Sequence, residues 1–295
     1  MNDDNNEIEL SDEERTLIVE KKATCPFIGP AIAQNKLPVR NSARNPLASI
    51  DDVRMLGNTG GGNLGDLLVL FANGNHAFMR GESGELNKHV SNGLFSLEFP
   101  GSQGSHPGHS GILQGDPDVL DSGRFSAEDF KRLTDLANSN SLITRSAVGR
   151  FIAENQIRDP NSKVLDLETI ELLTHDLFEA AKAAISALLE WVFGSDRDEA
   201  LREVMEKFTR LAGENNLVGS AGEFGLLFAF FANKPDAGKD EDEPALHVND
   251  LKAMFEEKRL PEKWEKWEKF WQNWVTNTKA LIFSAAKEYR KLKKD

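Results

Sequence analysis

Apolar residues at helical spacing dominate the chain. In the segment FSAEDFKRLTDLAN, Phe130, Leu133 and Leu136 recur every three residues, which puts them on one face of a helix. Ser126 comes just before this run, and Asp129 follows it three residues later. A serine followed at this spacing by an acidic residue is typical of a helix start, because the two side chains cap the first turn. The pattern therefore predicts a helix that begins after Ser126.

Further segments with a helical pattern account for most of the remaining chain. They are SIDDVRML, which opens with Ser49 and carries Asp52 three residues on, SLITRSAVGRFIAENQ, VLDLETIELLTHDLFEAAKAAISALLEWVF, RDEALREVMEKFTRLAGEN and VGSAGEFGLLFAFFA. Alternation of apolar and polar residues, which predicts a strand, is limited to a short stretch at GLFSLEF. We therefore predict a mainly α fold.

Two polar segments interrupt the helical pattern. The first, EFPGSQGSHPGHSGILQGDPDVLDSGRF, is rich in Gly, Pro, Ser and Asp and predicts a long loop. Long loops inside compact domains are usually functional. The second, NKPDAGKDEDEPA, is acidic and polar, and we expect it to be a solvated linker.

The C-terminal segment KWEKWEKFWQNWV predicts an amphipathic helix. Its apolar stripe consists of Trp264, Trp267, Phe270, Trp271 and Trp274. Because such a stripe normally faces a core, we expect the helix to pack on the rest of the chain or across a homodimer; a membrane surface is the alternative. The chain then divides into an acidic N-terminal arm (1–22), one helical domain (23–262) and a Trp-rich C-terminal helix (263–295).

Composition narrows the class of protein. The 295 residues include 35 basic and 48 acidic side chains, for a net charge of −13, which argues against nucleic-acid binding. A single cysteine excludes an internal disulfide. The N-terminus has no secretory signal pattern, and no apolar run of about 18 residues predicts a transmembrane segment. We therefore expect a cytoplasmic protein.

The single cysteine, Cys25, stands directly before Pro26 in KKATCPFIGPAIAQNKLPVR. Proline is favoured at the first position of a helix, so this pair predicts an N-cap followed by the first helical residue. Unpaired N–H groups and the helix dipole at such a position favour the thiolate, which can act as a nucleophile, a redox sensor or a haem ligand. The alternative is that Cys25 is a small buried hydrophobic residue.

Two other groups of residues carry candidate chemistry. In HSGILQGDPD, His109, Gln114, Gly115, Asp116 and Asp118 bring hard oxygen donors together, as Mg²⁺ or Ca²⁺ requires. The alternative is a solvated turn, since such residues dominate turns for local reasons.

In LDLETIELLTHDLFEAAK, the residues Glu168, Glu171, His175 and Glu179 share one helix face. A glutamate four residues before a histidine can hold the imidazole and fix its tautomer. The alternative is a polar outer face.

Together, these segments resemble the haem-thiolate peroxidases, the family of chloroperoxidase and the unspecific peroxygenases. CPFIGPAIAQNKLP keeps the family's spacing from Cys25 to Leu37 and Pro38, with Arg40 displaced by one residue. HSGILQGDPD and FSAEDFKRLTDLAN follow in the order of the family's Gly-Asp loop and Asp-Phe helix. VNDLKAMFEEKRLPEKWEKW is similar to the family's closing stretch, so the likeness covers most of residues 23 to 270.

The resemblance implies a single-domain helical haem-thiolate peroxidase fold with long loops and bound haem b. Cys25 would be the proximal ligand to the haem iron, with Pro26 and Phe27 beside the cofactor. Thr24 stands where the family has the first proline of Pro-Cys-Pro.

The resemblance also implies Mg²⁺ beside a haem propionate. Gln114 stands where the family has a glutamate ligand, Gly115 would offer its carbonyl, and Asp118 replaces a serine. The first replacement removes a negative charge and the second restores one.

The activity implied by the resemblance is that of a peroxidase or peroxygenase. It would use H₂O₂ to oxidise or oxygenate a small organic substrate through a ferryl-oxo intermediate. In the resemblance, Glu168 stands where longer family members have an arginine and His175 where they have a glutamate. His175, assisted by Glu171, would move protons on the peroxide, and His106 and His109 are the competing candidates. Two other interpretations stay open: a haem-binding sensor or carrier of the same fold without peroxide turnover, and a helical interaction protein with no cofactor.

Overall fold

The computed structural model describes residues 6–23, 26–58, 94–97, 125–158, 170–171, 175, 216–240, 243–269 and 273–294. The helices in this part of the chain are α1 (Asp12–Lys21), α2 (Ile28–Ala33), α3 (Ile50–Gly57), α4 (Ala127–Thr134), α5 (Arg145–Arg158), α6 (Asn216–Phe231), α7 (Val248–Phe255), α8 (Trp274–Leu292) and a 3₁₀ turn at Trp264–Lys266. The strands are β1 (Arg40–Asn41), β2 (Pro46–Ser49), β3 (Leu94–Ser96), β4 (Leu142–Thr144), β5 (Gly238–Asp240) and β6 (Glu243–His247).

The predicted mainly helical character is confirmed, with two small antiparallel sheets added to it. One sheet has the order β1-β2-β3 and the other the order β4-β6-β5. Strand β3 falls within GLFSLEF, where the sequence predicted a strand. The other strands were not predicted, because runs of two to five residues are too short to show a period.

The helix starts read from serine are confirmed. The hydroxyl of Ser126 accepts a hydrogen bond from the backbone N–H of Asp129 (3.2 Å) at the start of α4. The hydroxyl of Ser49 accepts one from the backbone N–H of Asp51 (3.2 Å) at the start of α3. Both caps depend on residues within one turn, so the sequence alone was sufficient to locate them.

The core is built where α8 packs against α5 and α6. Two glycines make this close approach possible. A Cβ at Gly149 would lie 2.2 Å from the Ser284 hydroxyl oxygen, and one at Gly225 would lie 2.4 Å from that of Thr278. Both distances are shorter than any non-bonded contact, so helices α5 and α6 can approach α8 only because these positions lack a side chain.

The tryptophan-rich segment does not form the continuous helix that its spacing predicted. The 3₁₀ turn at Trp264–Lys266 is followed by extended backbone at Trp267, and α8 begins at Trp274. Each of these three buried indoles donates to a different carbonyl: Trp264 to Leu56, Trp267 to Phe230 and Trp274 to Gly222, all at 2.8 Å. These separate tertiary partners outweigh the local helical preference.

The acidic segment predicted as a solvated linker contributes to a sheet instead, in its described residues 233–240 and 243–245. Its residues enter β5 and β6, which pair antiparallel from Gly238–Ala245 to Asp240–Glu243, and β6 also pairs with β4. A buried ion pair of Lys234, described below, anchors the turn before β5. One of the charges that suggested a solvated segment, that of Lys234, is therefore part of a buried ion pair.

In the part of the chain that the structure describes, every helix is too short or too polar to cross a bilayer.

Candidate functional site

Most of the predicted site residues fall outside the described residues. These are the proposed iron ligand, the proposed Mg²⁺ ligands, one candidate catalytic glutamate and the two competing histidines: Cys25, Gln114, Gly115, Asp118, Glu168, His106 and His109. Four predicted residues are described, namely Pro26, Phe27, Glu171 and His175.

Helix α2 begins two residues later than the Cys-Pro pair predicted. Its N-cap is Phe27, in helical conformation and without a side-chain cap, and its first helical residue is Ile28. Pro30 has no N–H and therefore cannot donate to the carbonyl of Pro26. The bond from the Ala31 N–H to the Phe27 carbonyl (3.2 Å) opens the helix instead. The prediction that Cys25 is the N-cap is therefore wrong, and at six residues α2 has only a small dipole.

Two residues before and two residues after position 25, the chain is buried and apolar. Ala23 is 3% exposed and Phe27 is 2% exposed. The ring of Phe27 packs against the rings of Phe230 (5.5 Å between centroids) and Trp264 (5.4 Å). This part of the sequence therefore joins an aromatic cluster, which we define as Phe27, Phe230, Phe231, Trp264 and Trp267.

A lysine lies inside this aromatic cluster. The side chain of Lys269 is buried, and its ammonium nitrogen lies 4.3 Å from the ring centroid of Trp264 and 4.4 Å from that of Trp267. It donates hydrogen bonds to the backbone carbonyls of the same two residues. Burial lowers the pKa of Lys269 to about 7, opposed by the nearby carboxylate of Glu265. No local pattern indicates this role, because Lys269 belongs to an apparently solvated run of alternating charge.

The largest cleft among the described pockets lies beside helix α7. We call it the α7 cleft; it holds about 700 Å³ and its wall includes Lys234, Asp236, His247, Asp250 and Trp267. Trp267 thus belongs both to the wall of the cleft and to the aromatic cluster.

Lys234 is the centre of the charges in the α7 cleft. Its ammonium group lies 2.8 Å from a carboxylate oxygen of Asp236 and 3.0 Å from one of Asp250. Only about a tenth of the Lys234 and Asp250 side chains is exposed, whereas 72% of the Asp236 side chain is. A ring nitrogen of His247 contacts the backbone carbonyl oxygen of Asp236 at 2.9 Å.

Burial and ion pairing act differently on these groups. Burial alone lowers the pKa of Lys234, but its hydrogen bonds to Asp236 and Asp250 outweigh that effect and raise it. The hydrogen bond from Lys234 lowers the pKa of the exposed Asp236. Burial raises the pKa of Asp250 in spite of Lys234. Asp250 is therefore the first of the two carboxylates to take up a proton as the pH falls, which is the behaviour expected of an acid–base group in a cleft.

Glu171 and His175 are both helical and both exposed, while their neighbour Ile170 is buried. A spacing of four residues brings the two polar side chains to one helix face. The structure therefore places the candidate acid–base pair at a surface of the described part of the molecule.

No group of three or more His, Cys, Asp or Glu side chains in the described ranges is arranged to hold a metal ion. The proposed Mg²⁺ ligands are not among these residues. Sequence reasoning also missed the Lys234–Asp250 pair, because its members are 16 residues apart in segments that looked unrelated.

Comparisons with known proteins give no family for this chain. No family model matches it, and neither the curated proteins nor the solved structures include a match. Its function is therefore inferred from its own residues.

Proposed function

We propose that the chain is a haem-thiolate peroxidase or peroxygenase that uses H₂O₂ to oxidise or oxygenate a small organic substrate. The observation that carries the proposal is the ordered series of motifs, from Cys25 through Leu37-Pro38 to the Gly-Asp loop and its following helix. The fold that this resemblance implies, a helical domain of the haem-thiolate type, is part of the same proposal.

The described surroundings of position 25 fit a haem in their chemistry. Ala23 and Phe27 are buried among apolar groups, and the residues of α2 from Ile28 to Ile32 are buried as well. A porphyrin is a large apolar plane, so it needs such a lining on at least one face. Cys25 would hold the iron, and Pro26 and Phe27 would border the cofactor.

When bound, a thiolate-ligated haem supplies the electron density that favours cleavage of the O–O bond of a peroxide. The chain would contribute a thiolate from Cys25 and apolar walls that exclude water. Gln114, Gly115 and Asp118 would bind Mg²⁺ near a propionate. Because α2 is short and begins at Ile28, its dipole does little to favour the thiolate, and iron coordination itself would have to keep the sulfur deprotonated.

The proton-transfer role falls to His175 in this proposal, with Glu171 orienting its ring and Glu168 nearby in sequence. An imidazole can take a proton from one peroxide oxygen and return it to the other.

The spectrum of the reduced CO complex tests the iron ligand. We expect purified protein supplied with haem to give the strongly red-shifted Soret band of a thiolate-bound haem, and Cys25→Ala to lose that band. His247→Ala, which changes a histidine of the α7 cleft, is the matched control and should keep it. A chain that binds no haem, or a Cys25→Ala variant with an unaltered spectrum, would contradict the proposal.

A second function, a haem sensor or carrier of the same fold, is supported by the exposure of Glu171 and His175. A group that transfers protons on iron-bound peroxide has to face a sheltered pocket. Stopped-flow mixing with H₂O₂ separates the two functions. The peroxidase predicts a rapid change in the haem spectrum that slows at least about a hundredfold in His175→Gln. The carrier predicts no change, and a chain that binds no haem points to a cofactor-free interaction protein.

A further inference from the structure

One face of helix α8 is basic and faces away from the core. Phe283, Lys287, Arg290 and Lys294 follow one another at intervals of four, three and four residues, so they share a face about 16 Å long. We call these four residues the basic face. Its side chains border a groove of about 410 Å³ whose floor includes the buried Ile170 and Ala286. The opposite face of α8 packs into the core through Leu281, Ile282, Ala285 and Tyr289.

The cations of the basic face have no counter-ions in the described structure. Lys287, Arg290 and Lys294 are exposed and form no ion pair with any described residue, whereas the adjacent Lys291 pairs with Glu288 at 2.5 Å. Phe283 is also 45% exposed. An exposed aromatic ring at one end of a row of cations suits a partner surface with one apolar residue and several carboxylates.

The basic face stands out against an acidic chain. Residues 274–294 carry six basic side chains and one acidic side chain, a net charge of +5. The rest of the chain then has 29 basic and 47 acidic side chains, a net charge of −18. Two copies of this chain therefore repel one another except where this segment of one meets an acidic surface of the other.

Helix α1 presents the complementary surface. Glu13, Leu17 and Glu20 are exposed and lie at intervals of four and three residues, so they share one face, which we call the acidic face. Leu17 is 49% exposed, and neither glutamate pairs with a described residue. The buried Ile18 and Val19 hold the other side of α1 against the molecule.

The two faces match in spacing. Four residues, about 6 Å, separate Leu17 from Glu13 on α1, and the same interval separates Phe283 from Lys287 on α8. If Leu17 packs on Phe283 with the helices antiparallel, Glu13 meets Lys287. At the other end of the contact, Glu20 lies near the exposed Lys279, which precedes Phe283 by four residues.

We propose that the acidic face of α1 from one copy of the chain binds the basic face of α8 of a second copy. The exchange of both contacts between two copies closes a dimer. This contact does not use Trp264, Trp267 or Trp274, which are buried within the chain, and it is independent of haem binding.

Charge reversal in pairs tests the contact by sedimentation velocity of the intact protein over a range of concentrations and salt. We expect self-association that weakens at high salt, because the ion pairs are exposed. Lys279→Glu with Lys287→Glu should leave a monomer, and Glu13→Lys with Glu20→Lys should do the same. An equimolar mixture of the two variants should restore a complex. The control, Lys239→Glu with Lys252→Glu, makes the same charge change elsewhere and should not weaken association.

Circular dichroism and thermal unfolding of each variant establish that it is folded before its mass is interpreted. A native chain that is monomeric at every concentration overturns the proposal, as does a mixture of the two variants that stays monomeric. Monomeric native protein that binds vesicles of anionic phospholipid through Lys287 and Arg290 also overturns it, and assigns the basic face to a lipid surface.

Discussion

Lys269 illustrates how one residue can carry opposing effects. Removing its ammonium group from water is unfavourable, and this burial is the main reason why its pKa falls to about 7. The carbonyls and ring faces of Trp264 and Trp267 favour the charged form in return. The lysine therefore holds the aromatic cluster together while remaining close to losing its proton at neutral pH.

The position of Lys269 predicts a stability that depends on pH in a defined direction. Between about pH 7 and its ordinary pKa of 10.5, the unfolded chain binds the Lys269 proton and the folded chain does not. The free energy of unfolding should therefore rise with pH in this window, by at most about 1.4 kcal/mol per pH unit for one proton. Below pH 7 the two states bind the proton equally and this contribution to the slope vanishes. Urea unfolding of the native protein and of Lys269→Met at pH 6 to 9.5 measures this dependence of unfolding free energy on pH. Identical slopes in the two proteins would refute the prediction.

A second prediction at this scale concerns the two carboxylates that share Lys234. Asp250→Asn leaves a largely buried ammonium group with a weaker partner, and we expect a loss of about 3 kcal/mol in unfolding free energy. Asp236→Asn removes an exposed partner and should lose only about 0.5 kcal/mol. Chemical denaturation at neutral pH measures both. Equal losses in the two variants would show that burial of the pair has no part in its strength.

At the scale of elements, the approach of α8 to α5 and α6 depends on the two glycines. Alanine normally stabilises a helix relative to glycine by about 1 kcal/mol. At Gly149 and Gly225 the added methyl would overlap Ser284 and Thr278, so we expect each substitution to destabilise the fold by about 1–3 kcal/mol in spite of that gain. Gly222 is the matched control, because the nearest atom to a Cβ added there lies 3.7 Å away. We expect Gly222→Ala to leave the stability of the fold unchanged or to raise it. Thermal unfolding of the three alanine variants measures the change in melting temperature. Equal changes in all three variants would contradict the prediction.

The elements that the sequence predicted correctly are those whose signals are local. Ser49 and Ser126 cap helices through the next few residues, and the apolar run of α6 is long enough to identify a helix by itself. The three indoles of the C-terminal segment behave differently, because each is fixed by a carbonyl more than 30 residues away. The same holds for the α7 cleft, whose ion pair joins the end of α6 to the start of α7 and has no local pattern.

At the scale of the whole molecule, charge is distributed unevenly enough to suggest how copies meet. An acidic body and a basic C-terminal helix were readable from the sequence, but which basic residues face outward was not, since that depends on how α8 lies on α5 and α6. The proposed haem site has the reverse character: its motifs were readable, whereas its geometry depends on residues outside the described ranges, Cys25 among them.

The contact between Phe27 and Trp264 also bears on how the chain folds during synthesis. A ring near the start of the chain is completed by an indole 237 residues later, and that indole in turn binds the carbonyl of Leu56. Native packing around α2 and α3 therefore has to wait until translation has passed residue 264. Until then the emerging chain exposes apolar surface, and we expect slow maturation after release and a need for protection by chaperones in the cell.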